Sequence, residues 1–186
     1  MEIISVEKVR LVDLHQLSFS GTIEERGKTF KENALVKAEA VYERYGIPAI
    51  ADDSGLCVAY LDGKPGVRSA RFAGPDASDE ENNRLLMKKL QGVPWSERGA
   101  WFMCSAVFYY GPATYYVTEG RVNGIIAEKC EGEGGFGYDP VFYLPSLRKT
   151  MAQLEKAEKN RISHRALAFR ALRKHIEEYV ADIATR

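Results

Sequence analysis

Residues 100–122 constrain the fold of this chain more than any other segment. AWFMCSAVFYY (100–110) is a run of apolar, aromatic and β-branched residues, GPA interrupts it, and TYYVTEGRV follows. Two strand-forming runs separated by a short turn signal predict a long antiparallel hairpin. IIAEK (125–129) continues the sheet, and these strands hold much of the aromatic content.

The other elements are marked by end signals and periodicity. EIISV (2–6) reads as a short strand, and Asp13 to Gly27 as an irregular connection. Thr29 with Glu32 forms a capping-box pattern. Phe30, Ala34, Ala38, Val41 and Tyr45 then recur on one face until Gly46, which predicts a helix over 30–45. PAIAD (48–52) and LCVAYL (56–61) read as two strands, with DDSG as a polar break between them. DGKPGVRSARFAGP is a long glycine-rich loop. Ser78, followed by DEE and later by LLMKKL, starts a second helix with acids in its first turn and lysines in its last. EGEGGFGYDP (131–140) feeds a strand at VFYL, and the last helix runs from Ser163 to about Val180. Strands and helices in this order predict α/β or α+β architecture around one mixed sheet.

With 186 residues, 45% of them hydrophobic and 28% charged, the chain is read as one globular domain over 1–186. Its 26 basic and 26 acidic residues cancel, so no overall field draws in nucleic acid or an anionic membrane, and neither is expected as a partner. A small anion remains compatible with this balance, because one site can gather a few cations. Cys57, Cys104 and Cys130 lack metal-ligand spacing, and their odd number argues against a disulfide scaffold. No stretch approaches the roughly 20 apolar residues of a membrane span. MEIISVEKVR lacks the pattern of a signal peptide, so the expected compartment is the cytoplasm.

Several residues carry chemistry. Asp52 and Asp53 are adjacent carboxylates able to hold a hard cation or orient a water, or alternatively to close an Asx-type turn. Lys37 lies two turns after Phe30 on the inward helix face, where it snorkels or meets an anion. Glu32 is accounted for by the capping box. Glu24 and Glu25 precede the helix as metal-directed or merely solvated acids. In GGFGYDP the glycines permit close backbone approach, Phe136 and Tyr138 offer rings, and Asp139 offers an acceptor; a nucleobase site and a packed aromatic turn fit this pattern equally. Ser163 is an N-cap with His164 and Arg165 in the first turn. Arg165 shares the side of Phe169, Leu172 and Ile176, so it faces a ligand or a buried protein carboxylate. Lys159 stands just upstream. Walker-type, GxSxG and HExxH motifs are absent.

KTFKENALVKA, IADDSGLCV, GVRSARFAG, GGFGYDPVF and EKNRISHRALAF, in this order and spacing, resemble the inosine triphosphate pyrophosphatases from about residue 20 to about residue 175. The resemblance implies an elongated, two-lobed α/β fold with a central mixed sheet flanked by helices, an active-site cleft between the lobes, and a homodimer. It implies Mg²⁺-dependent hydrolysis of ITP, dITP and XTP to the monophosphate and pyrophosphate. By position, Asp53 matches the catalytic, metal-binding aspartate and Glu25 a metal-associated acid. Ser54, Lys37 and Lys159 match substrate-binding residues. Phe136, Gly137, Tyr138 and Asp139 match the nucleobase pocket, and His164 with Arg165 match the pair that reads the purine 6-oxo edge. The family also begins with a strand, a Ser/Thr-x-Asn-x-x-Lys loop and a helix, whereas MEIISV matches its second strand and no Asn-x-x-Lys match precedes Lys37. A chain truncated in this way is expected to have an open sheet edge and a phosphate site short of one lysine. The alternative readings are a weakly active or inactive nucleotide-binding remnant, and a Maf-type nucleotide pyrophosphatase.

Overall fold

Helix formation begins where the sequence places it. In a computed structural model that describes residues 6, 7 and 9–185, the Thr29 hydroxyl accepts from the Glu32 backbone N–H, and the Glu32 carboxylate accepts from the Thr29 backbone N–H. This reciprocal cap, which contributes about 1 kcal/mol, opens α1 (Phe30–Tyr45). Gly46 closes it at a φ of 64°, a left-handed position that glycine occupies without a Cβ penalty. Apart from Val6, the strand predicted over 2–6 lies outside the described residues.

The two strands expected on either side of DDSG are one continuous strand, β1 (Ala49–Val58). Asp52 and Asp53 therefore sit inside a strand and not at its end. β1 pairs along its whole length with β2 (Gly99–Gly111), placing Asp52 opposite Ala106 and Asp53 opposite Ser105. The strand tolerates these polar residues because each finds a partner from a packed helix, as described below.

The predicted hairpin is present: β2 turns at Pro112 and Ala113 into β3 (Thr114–Ile126). Between β1 and β2 lies α2 (Asp79–Lys89), capped by Ser78 and Glu81 as its sequence indicates. β4 (Phe142–Leu144) and β5 (Lys149–Thr150) complete the sheet in the order β1-β2-β3-β4-β5. The α/β expectation holds. Every pairing among the described residues is antiparallel, so the parallel component of a mixed sheet has no pair there. β1 is an edge of this sheet among the described residues, and its C-terminal part is covered where the following loop folds back, with the Leu56 N–H bonded to Ser69 Oγ at 2.9 Å. The chain ends with α3 (Lys156–Ile162) and α4 (His164–Ala184), the latter capped by Ser163.

Side chains alternate along a strand, and this divides the core. Ala49, Val107 and Tyr109 point to one face and pack on Ala34 and Ala38 of α1. Cys104, Ala106 and Phe108 point to the other and pack on Ala168, Leu172 and Ile176 of α4. Further along the strands, Leu56, Val58 and Phe102 join Leu86 of α2, Phe142 and Met151 in a separate cluster. Residues 52–55 lie on β1 between the strand residues that enter these clusters. No helix among the described residues is long and apolar enough to cross a membrane.

Candidate active site

Strand alternation sends the two adjacent acids to opposite faces of β1. Asp53 faces α1, where its Oδ2 accepts from Asn33 Nδ2 at 3.0 Å and its Oδ1 from Lys37 Nζ at 3.2 Å. The same Lys37 ammonium donates to Glu25 Oε1 at 3.0 Å. Asn33 and Lys37 meet the strand together because they are four residues apart on one face of α1. Two carboxylates against one ammonium leave a net negative charge, provided by hard oxygen donors. This set fits Mg²⁺, which characteristically takes one or two carboxylates and completes its shell with water and substrate phosphates. Among the described residues, no group of three or more His, Cys, Asp or Glu side chains is placed to hold a metal ion. Burial pushes the Asp53 carboxyl above the ordinary carboxylate value; the bonds from Asn33 and Lys37 pull it back, and the Glu25 charge adds to the rise. Glu24 is engaged elsewhere, in an exposed pair with Arg26.

Asp52 faces α4. Its Oδ2 accepts from Ser54 Oγ at 2.8 Å, from Arg165 Nε at 3.0 Å and from Cys104 Sγ at 3.6 Å. Burial, reinforced by the Asp52 charge, pushes the Cys104 thiol up to about 12, so it is a protonated donor and not a nucleophile. Arg165 thus meets a protein carboxylate, one of its two predicted outcomes, and the predicted substrate residue Ser54 belongs to the same cluster.

The first turn of α4 lies against the sheet because Gly120 has no side chain. A Cβ there would stand 2.0 Å from the His164 carbonyl oxygen and 2.6 Å from the Ala168 nitrogen, both backbone atoms. His164 stacks on Phe102 with ring centroids 4.7 Å apart. Burial lowers its pKa to about 3, with the neighbouring Arg165 and Lys159 charges acting in the same direction, so the ring is neutral. Its Nδ1 is buried without a hydrogen-bond partner. An unpaired buried ring nitrogen costs about 1–3 kcal/mol, which a ligand supplying the missing partner recovers.

His164 and Arg165 line a cavity of about 610 Å³, together with Gly135, Phe136, Lys159 and Asn160. That volume suits a small organic ligand. Phe136 is 61% exposed, its ring 4.6 Å from Lys159 Nζ and 5.8 Å from Arg165 Cζ. Gly137, Tyr138 and Asp139, predicted with Phe136 as one pocket, stand behind the lining and hold the loop. The Tyr138 hydroxyl donates to the Ser69 carbonyl at 2.9 Å, and burial raises its pKa. The Gly137 N–H donates to Asp79 at 2.6 Å. Asp139 accepts from the Phe136 N–H at 2.8 Å and from Lys159 Nζ, so Lys159 is a paired, largely buried lysine. Asn33 and Gly120 escaped sequence reasoning. Asn33 had a readable signal, a polar residue on the apolar face of α1; Gly120 had none.

The model of the Ham1 family matches residues 1–175. The chain belongs to the Ham1 family. It is 48% identical over 155 residues to the dITP/XTP pyrophosphatase of Halalkalibacterium halodurans, covering 83% of this chain and 80% of that protein. With the dITP/XTP pyrophosphatase of Geobacillus kaustophilus it shares 51% identity over 158 residues, 85% of this chain and 78% of the relative. The solved Ham1 protein of Coxiella burnetii superposes with a TM-score of 0.89 at 38% identity, covering 95% of this chain and 90% of that one. The Staphylococcus aureus Ham1 protein gives a TM-score of 0.85 at 43% identity, with 91% and 88% covered. The strand-alternated acid pair and the His164–Arg165 cavity thus belong to a Ham1 fold.

Proposed function

We propose that this Ham1 protein hydrolyses non-standard purine nucleoside triphosphates, dITP, XTP and ITP, to the monophosphate and pyrophosphate. The observation that carries the reading is the pairing of a charged group at Asp53, Lys37 and Glu25 with a cavity lined by His164 and Arg165, joined through adjacent residues of one strand. The names of the relatives, dITP/XTP pyrophosphatase, support the same substrates.

Each side chain has a role that its surroundings support. Asp53 takes the proton of the attacking water, a task suited to a buried carboxyl whose pKa lies above the ordinary value. Lys37 holds Asp53 and Glu25 in place and presents positive charge to the phosphates, and Lys159 is part of the cavity lining. Asp53 and Glu25 are the residues that would hold Mg²⁺. When bound, the ion supplies neutralisation of phosphate charge and a more acidic water. Phe136 provides a stacking face. Arg165 donates to a 6-oxo group, and an adenine amino group there would leave two donors opposed. Ser54, Gly137, Tyr138 and Asp139 shape the two halves from behind. The reading includes a single domain over 1–186 acting as a cytoplasmic homodimer.

The test is pyrophosphate release by the purified chain with Mg²⁺ and, separately, dITP, XTP, ITP, GTP and ATP. Pyrophosphate from the first three, little from GTP or ATP, and none after EDTA treatment is the expected result. Orthophosphate in place of pyrophosphate refutes the proposed bond, and binding of dITP without any product favours the remnant reading.

A further inference from the structure

The deaminated-purine reading assigns no task to Asp52, yet this carboxylate is more heavily engaged than Asp53. Alternation along β1 turns it away from Lys37 and Glu25, so it is not a second acid of the phosphate side. One oxygen, Oδ2, collects Ser54 Oγ from its own strand, Cys104 Sγ from β2 and Arg165 Nε from α4. Ser54 and Cys104 are opposite each other in the strand register, so Asp52 is held by groups of the sheet as well as by Arg165.

The way Arg165 is held matters. A guanidinium has five N–H donors in a rigid plane, and Asp52 takes only the Nε–H. The four terminal N–H groups remain, and among the described residues the Arg165 side chain makes no other hydrogen bond. On its other side the guanidinium carbon lies 5.8 Å from the Phe136 ring. A side chain anchored at Nε loses much of the rotamer freedom of a free arginine, so less entropy is lost when its remaining donors meet a ligand. A charge-assisted anchor of this type is also directional.

We propose that Asp52 is a positioning residue for nucleobase selection: it tethers Arg165 through Nε, so that the terminal N–H groups face a base in the cavity. The inference rests on the proposed pyrophosphatase reading and deepens it, assigning to Asp52 the selectivity and to Asp53 the chemistry.

The test is steady-state pyrophosphate release from dITP and from dATP by the wild type, Asp52→Asn and Asp52→Glu, with thermal unfolding of each. Asp52→Asn is expected to lower the dITP-over-dATP ratio of kcat/KM at least about tenfold, chiefly through the KM for dITP. Asp52→Glu keeps the carboxylate one methylene farther along and is expected to lose only about threefold. A ratio unchanged in Asp52→Asn, or a fall in kcat for both nucleotides alike, overturns the inference and leaves the pyrophosphatase reading standing. A wild type that releases no pyrophosphate from dITP overturns that reading and the inference with it. Should Asp52→Asn not fold, a ratio unchanged in Asp52→Glu is the overturning result.

Discussion

The two faces of β1 solve opposite problems with neighbouring residues. On the α1 face, Asp53, Asn33, Lys37 and Glu25 are hydrogen-bonded to one another, and the group keeps a net negative charge. On the α4 face, Asp52 and Arg165 are paired, but His164 Nδ1 has no partner and a cavity opens beside it. The first arrangement suits a ligand that brings charge, since phosphates and a divalent cation can enter an already polar set without exposing an unpaired group. The second suits a ligand that brings shape and a few hydrogen bonds, because its apolar ring faces and one unpaired nitrogen are unsatisfied until something fills them. One strand thus separates the site for chemistry from the site for recognition by a single residue step.

The sharpest way to break this contrast is Asp53→Asn. Turnover of dITP should fall by about 10³-fold or more while dITP affinity, measured calorimetrically, changes by less than about fivefold. A parallel loss of affinity would merge the two faces into one functional unit.

Gly120→Ala attacks the recognition face from beneath. The added methyl meets backbone atoms of α4, which cannot swing aside as a side-chain tip can. A loss of about 2–3 kcal/mol in denaturant unfolding is expected, with the selectivity for dITP reduced along with it.

The smallest effect concerns protonation. His164 is neutral in the folded state, with a pKa lowered to about 3 by burial, whereas an unfolded histidine titrates near 6.5. Below that value the unfolded chain binds a proton that the folded chain does not. The stability His164 confers is therefore full above pH 6.5 and is lost progressively as the pH falls toward 3. Between pH 6.5 and about pH 5 the loss is on the order of 1–2 kcal/mol. His164→Gln should flatten that part of a stability-against-pH curve, and an unchanged slope would mean that His164 takes up its proton equally in the folded and the unfolded chain.

Much of the fold was legible before any coordinates. The Thr29–Glu32 and Ser78–Glu81 caps, Gly46 as a stop and the 100–122 hairpin all depend on residues a few positions apart. The site was legible in its parts. Lys37 on the inward face of α1, and Arg165 aligned with the apolar stripe of α4, were readable from helical spacing, and both point into the site. The DDSG segment has the polarity of a loop, yet it lies within the continuous strand β1. Its partners Asn33, Lys37 and Arg165 come from helices 20, 16 and 113 residues away, and no local pattern announces them.

By itself, then, the sequence determined where helices start and stop, which strands form the hairpin and which residue types carry charge, because these follow from short-range hydrogen bonding and from periods of 3.6 and 2. Only the tertiary structure decided that Asp52 and Asp53 serve different faces, that Asp139 and Tyr138 brace a loop whose Phe136 lines the cavity, and that His164 keeps an unpaired nitrogen. Those outcomes depend on which distant groups come within about 3 Å of each other, and such distances are set by the packing of helices on the sheet, not by spacing along the chain.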